Sequence, residues 1–363
     1  MRGIQIICGI YRHGRKFLAT ILVVVFLLPL VSTTRRAYAE KKAGDYKTFT
    51  LFFENDLFDG TDRQYTNGVK LTWMSQDLQN YCDDPRIPQW SHPIIERLPF
   101  VNRPGTQRIA SLSIGQNIYT PEDIKIAELM EDDRPYAGIT YLGFGFLSKD
   151  SRRVDTVEIT LGMVGPRSYA DKTQEIIHKL VDSIEPQGWR HQLKDEPILN
   201  LYYERKLRWK QLDMKSGWGM DLIPHLGVAL GNAWTGLNMG GQLRFGWNLP
   251  HDYGTSLIRP GSDTNAPIDD NDPRFNAPFH RLGIHLFAGV DARYVAHYIF
   301  LDGNTFRDSH SVEKKPLVGN FVVGIGAIFH RLKVSYGHVF QTKEFYGQKE
   351  RQSFGSLTFS FSY

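Results

Sequence analysis

At 363 residues the chain is long enough for one large domain or two ordinary ones. Its 41% hydrophobic and 23% charged residues exclude a wholly disordered chain and a bundle of membrane helices. Aromatic residues at 13% and 33 glycines suit a β protein, membrane barrels included, and the formal charge of +4 is supplied by one end of the chain.

Residues 1–39 carry Arg2, Arg12, Arg15, Lys16, Arg35 and Arg36 and no acid. An apolar run from Phe17 to Val31 follows, and then a small-x-small site at Ala37-Tyr38-Ala39. This is the layout of a secretory signal; the run is short for a membrane span and is broken by Pro29. The expected division is therefore a signal peptide at 1–39 and a mature chain at 40–363. Six of the 43 basic residues leave with the signal, so 37 face 39 acids and nothing argues for a nucleic-acid partner. Cys8 leaves too, and Cys82 alone makes no internal disulfide.

The mature chain alternates with period two, which sets opposite side-chain classes on the two faces of a strand. Val69, Leu71 and Trp73 alternate with Lys70, Thr72 and Met74. Val157, Ile159, Leu161 and Met163 alternate with Glu158, Thr160 and Gly162. Leu243, Phe245 and Trp247 alternate with Arg244, Gly246 and Asn248, and the chain ends on Leu357, Phe359, Phe361 and Tyr363. A soluble sandwich and a membrane barrel both fit this pattern. The export signal, strands of about ten residues and the aromatic last strand favour the barrel.

Twelve strands are expected near 47–55, 64–75, 106–118, 135–149, 152–165, 197–210, 217–232, 237–249, 281–299, 315–329, 331–343 and 351–363. The fold class is an all-β, antiparallel transmembrane barrel with both termini on the periplasmic side. Two long connections, 76–105 and 250–280, fall on that same side by parity, which is unusual for a barrel.

The least barrel-like stretches gather at the opposite rim: Phe53-Glu-Asn-Asp56, Arg63-Gln-Tyr-Thr-Asn-Gly68, Ile114 to Pro121, Asp132 to Gly138, Val164-Gly-Pro166 and Asp195-Glu-Pro197. Between strands five and six, Tyr169 to Ile184 reads as a short helix in an outer loop, with Gln174, Ile177, His178 and Val181 on one face. Pro186-Gln-Gly-Trp189 stops it. Each piece has a plain structural reading: a helix-packing His, ordinary turn chemistry at Asn55-Asp56, solvated charge at Asp132-Asp133, the start of a strand at Thr66. Their convergence on one rim suits hydrolysis, with His178 as general base on water and loop oxygens holding a hard cation such as Ca²⁺ beside a tetrahedral oxyanion. No zinc-type Cys/His spacing, phosphate loop or Gly-x-Ser-x-Gly elbow is present.

Phe53-Glu-Asn-Asp56, Tyr65-Thr-Asn-Gly68, Gly115-Gln-Asn-Ile-Tyr119, Asp133-Arg-Pro-Tyr-Ala-Gly138 and Gly162-Met-Val-Gly-Pro166, followed by Gln174 and His178, resemble the outer-membrane lipid A 3′-O-deacylase family from about residue 47 onward. The resemblance implies a Ca²⁺-dependent ester hydrolase that removes the 3′-linked acyloxyacyl chain of lipid A, the outer-leaflet lipid of lipopolysaccharide. It puts the family's Asn-Asp pair on Asn55 and Asp56, its Thr on Thr66 and its water-activating His on His178. Its Glu falls on Ile184 without gaps, and on Glu185 after a one-residue shift. Asp56, Thr66 and Glu185 are then the expected metal ligands. An outer-membrane phospholipase and a non-catalytic, porin-like barrel are the competing readings. The phospholipase would need a His-x-Ser-Asn context that Ser309-His310-Ser311 and Ser91-His92-Pro93 do not supply.

Overall fold

The computed structural model describes residues 42–56, 64–261, 263–275 and 281–363; the expected signal peptide lies outside them. Every predicted strand forms, with ends moved by three residues or fewer. They are β1 (Thr48–Asn55), β2 (Gln64–Met74), β3 (Gln107–Thr120), β4 (Ala137–Lys149), β5 (Arg153–Val164), β6 (Glu196–Leu207), β7 (Trp209–Asp213), β8 (Trp218–Gly231), β9 (Trp234–Trp247), β10 (Leu282–Tyr298), β11 (Leu317–Phe329), β12 (Leu332–Gln341) and β13 (Gln352–Ser362). The thirteen segments make twelve staves. β6 and β7 both pair with β8 and are one stave interrupted at Arg208, whose guanidinium turns to Asp221 at 2.7 Å. All pairings are antiparallel between chain neighbours. β1 on β13 and β6 on β8 complete the ring, so no long strand edge is left open.

The alternation decides which way each side chain points. On β2, Lys70, Thr72 and Met74 are buried in the lumen while Val69, Leu71 and Trp73 lie outside. Leu112, Leu142, Phe144, Leu201, Leu243, Phe245, Leu286 and Ile325 stand exposed on the outer wall, as expected of a lipid-facing surface. Among the described residues no helix is long and apolar enough to cross a membrane.

The two long connections do what parity alone does not foretell. Residues 250–261 and 263–275 turn back into the lumen and fill it. Asp252 meets Arg244 at 2.6 Å, Lys333 at 2.6 Å and Arg274 at 3.3 Å, all fully buried. Lys70 pairs with Asp263 at 2.9 Å, Lys149 Nζ donates to Pro267 O, and Glu158 accepts from the Gly261 amide. The inward Arg, Lys and Glu side chains, which on their own describe an aqueous pore, are therefore consumed by an internal plug. Burial of so many charges is tolerated because each has a partner.

Residues 76–105 instead fold up against the outside of the wall and include the short α1 (His92–Ile95). Tyr81, Ile95 and Val101 pack on the outward side chains Ala110, Phe146 and Val157. Tyr81 OH donates to Val101 O and Leu147 O, so the buried phenol is satisfied.

Candidate active site

At the other rim, the segment between β5 and β6 lies across the outer face of β3 and β4 and carries α2 (Ala170–Val181). α2 is shorter than the predicted helix, ending where Asp182 takes φ 56° and Ser183 N reaches back to His178 O. Its entry is set by Gly165 at φ 97°, where a Cβ would lie 2.6 Å from backbone atoms of Lys194 and Asp195. Ser168 O then accepts from Gln116 Nε2 (2.8 Å) and Thr140 Oγ1 (2.7 Å), which tie the segment to the wall. A Cβ at Gly138 would overlap that of Ala170, so only glycine lets the helix come this close. Gly138→Val is expected to push α2 off the wall and to remove the activity proposed below while the barrel still forms. Overpacking of this kind costs about 1–3 kcal/mol, and a heat-modifiability gel run beside an activity assay reads both effects.

α2 packs with its polar side inward. Ala170, Gln174 and His178, one helical turn apart, are buried, while Ile176 and Leu180 are exposed. Gln174 Oε1 accepts from Trp189 Nε1 at 2.8 Å, and Trp189 packs on Tyr136. His178 Nδ1 is hydrogen-bonded to the Ile184 carbonyl. A carbonyl only accepts, so Nδ1 carries the proton and Nε2 is the basic nitrogen of the ring.

The facing wall is built by a β-bulge. Tyr65 is opposite Tyr119 and Asn67 opposite Ile118, so Thr66 is the extra residue. Plain alternation from Lys70 and Gly68 would send Thr66 inward and Tyr65 outward. The bulge reverses them: Tyr65 OH donates to lumenal Glu54 at 2.9 Å, and Thr66 Oγ1 meets Thr120 Oγ1 at 2.8 Å on the outer side. Asn55 shares that outer face by alternation and is paired with Asn67, and fully buried Asp56 follows it. Behind the bulge, Glu54 Oε1 accepts from the plug's Ile258 amide at 2.8 Å, so the lumenal plug braces this stretch of wall.

His178 thus lies in the buried seam between α2 and the outer face of β3 and β4, while Asn55, Asp56 and Thr66 stand at the same rim on neighbouring β1 and β2. Glu185 is turned elsewhere: its half-exposed side chain faces Lys179 at 3.9 Å. Ile184, the ungapped alternative, offers its backbone carbonyl to His178 and leaves its side chain exposed. Among the described residues no three His, Cys, Asp or Glu side chains are gathered as a metal cluster. Asp133, one of the rim carboxylates, is structural: it accepts from the amides of Glu122 and Arg134. Thr120, Thr140 and Ser168 also line or tie the seam and were not singled out from the sequence. The alternation of β3 with exposed Leu112 and Ile114 carries the signal that places Thr120.

The family model described as outer membrane protein LpxR matches residues 21–363. The search of curated proteins returned no match. Among solved structures, LpxR from Salmonella typhimurium aligns at 17% identity and TM-score 0.66, over 86% of this chain and 99% of that one. At that identity the likeness shows the barrel fold. The β domain of the Bordetella autotransporter BrkA aligns at 8% identity and TM-score 0.41, over 88% of this chain and all of that one.

Proposed function

The chain belongs to the LpxR family of outer membrane proteins, and on that footing we propose that it is a lipid A 3′-O-deacylase, hydrolysing the ester of the 3′-linked acyloxyacyl chain. The observation that carries the reading is the buried His178, held by its Nδ1–H on the Ile184 carbonyl. Its helix packs on the outer face of β3 and β4 at the rim opposite the chain ends, the side from which an outer-leaflet lipid would approach. A base inside the lumen would never meet a lipid.

In this reading Nε2 takes a proton from water, and the water oxygen attacks the ester carbonyl. The tetrahedral intermediate collapses, the imidazolium returns its proton to the departing sugar oxygen, and the fatty acid leaves, its remaining carboxyl proton passing to solvent. Nδ1–H on a fixed carbonyl keeps the ring in the tautomer this needs. The Asp56 carboxylate, the Asn55 amide oxygen and the Thr66 hydroxyl are hard oxygen donors, whose chemistry fits Ca²⁺ with carbonyls and water completing the shell. Bound there, Ca²⁺ would supply charge stabilisation to the oxyanion. Glu185, the third expected ligand, faces Lys179 in this structure.

Mass spectrometry of lipid A from cells with and without the protein tests the reading: loss of the mass of one acyloxyacyl chain is expected. Unchanged lipid A in cells whose outer membrane holds the folded barrel sinks it. Asp56→Ala should abolish this change and its response to chelator while leaving a folded barrel; full turnover in excess chelator would remove the cation from the reaction. The porin reading loses support from the plugged lumen.

A further inference from the structure

The outer wall is not equally tall all round. On β10 the outward Leu282, Ile284, Leu286, Val290 and Tyr294 are all exposed. That thirteen-residue stretch spans about 40 Å along the strand and about 30 Å along the barrel axis at the usual tilt. On β4 the outward positions are Gly138, Thr140, Leu142, Phe144, Phe146 and Ser148. Only Leu142 and Phe144 are exposed. One two-residue step is about 7 Å, against an apolar band of about 25 Å on a membrane barrel.

The rest of that stave is covered. At the upper end Gly138 lies under Ala170, and Thr140 is bonded to Ser168. At the lower end Phe146 packs edge-on against Tyr81, and Ser148 Oγ meets Thr106 Oγ1 at 2.6 Å. A bilayer does not shrink to 7 Å on one side of a protein, so hydrocarbon must meet whatever covers the wall. Above, that is the exposed Ile176 and Leu180 of α2. Below, it is the connection 76–105.

The lower rim is the periplasmic one, because the start of β1 and the end of β13 both lie there, beside the short turns at 150–152, 214–217 and 330–331. Residues 76–105 present three large apolar side chains outward: Trp90 at 75% exposure, Ile94 at 54% and Phe100 at 51%. Trp90 and Ile94 are four residues apart across one continuous helical turn. Phe100 packs, tilted, against outward Tyr203 of β6, below exposed Leu201 and Leu199, so the apolar surface runs from wall to connection without a break.

We propose that residues 76–105 form a membrane-seated foot, whose Trp90, Ile94 and Phe100 are inserted among the phospholipids of the inner leaflet of the outer membrane. The occupant is lipid because the surface continues the lipid-facing wall and restores its missing height. Tryptophan at the edge of such a band is where an amphipathic ring gains from both hydrocarbon and headgroup.

The test uses the mature chain with Cys82→Ser, and either Trp90→Cys or Ile94→Cys labelled with an environment-sensitive nitrobenzoxadiazole dye, in phosphatidylcholine nanodiscs. Asp213→Cys, in the exposed last residue of β7, is the aqueous control. Heat-modifiability on a gel confirms folding of each variant, and two foot positions guard against one failing. Blue-shifted emission at both foot positions, quenched by nitroxide on the lipid chain and spared by a water-soluble paramagnetic ion, is the expected result. Emission and quenching like those of Asp213→Cys overturn the proposal. Protection from both quenchers also overturns it, since a second copy or another protein surface, not lipid, would then cover the foot.

Discussion

His178→Ala is expected to slow lipid A deacylation by at least ~100-fold, the lower end of what general-base catalysis contributes, and to leave a folded barrel. The imidazole sits on the buried face of α2, and its removal deletes the only ring nitrogen that the Ile184 carbonyl orients. His178→Gln keeps an amide able to hydrogen-bond that carbonyl but has no basic nitrogen, so it should lose nearly as much. His191→Ala is the internal control. His191 lies in the short turn beyond α2 and accepts from its neighbour Arg190, so its loss should be mild. Turnover is read by mass spectrometry of lipid A and folding by heat-modifiability. If His178 only packs the helix, both variants will melt earlier and keep near-parent turnover at low temperature.

The second large effect is expected inside the barrel. Asp252→Ala leaves Arg244, Lys333 and Arg274 facing one another without the carboxylate that holds all three. Arg244 keeps Asp221 and Arg274 keeps Asp272, so the charge left without a carboxylate is Lys333, and removing one partner from a buried ion pair costs about 3–5 kcal/mol. The plug gives way before the wall, since the strand ladders do not depend on Asp252. Planar-bilayer recordings should show a silent parent and opening events in Asp252→Ala, with unfolding at lower guanidinium. A silent variant that unfolds with the parent would mean that this cluster does not hold the plug. Because Ile258 of the same plug braces Glu54 behind the Thr66 bulge, the variant should also lose part of its activity.

The barrel was legible in the sequence because its signal is local. Period-two alternation at Val69 to Met74 or Leu357 to Tyr363 names a strand and its two faces without knowledge of any partner, and twelve such segments imply closure. The helix was legible from its spacing, and the rim assignment of Asn55, Asp56, Thr66 and His178 followed from strand parity. What the sequence did not determine depends on contacts between distant residues. In the sequence the connection 250–280 is only a long periplasmic-side segment until Arg244, Lys333, Lys149 and Lys70 stand on the inward face of a closed ring; only then is a plug the lower-energy place for Asp252 and Asp263. Thr66 reads as inward by alternation, and the bulge that turns it outward exists only in the pairing of β2 with β3. Glu185 and Ile184 are one residue apart in any alignment, but a turn at Asp182 points one toward Lys179 and gives the carbonyl of the other to His178. The helix shows the limit most plainly: spacing names its faces, but which face is buried depends on the solvent outside. On this wall the solvent is lipid, so Ile176 and Leu180 stay out while Gln174 and His178 turn in against the wall.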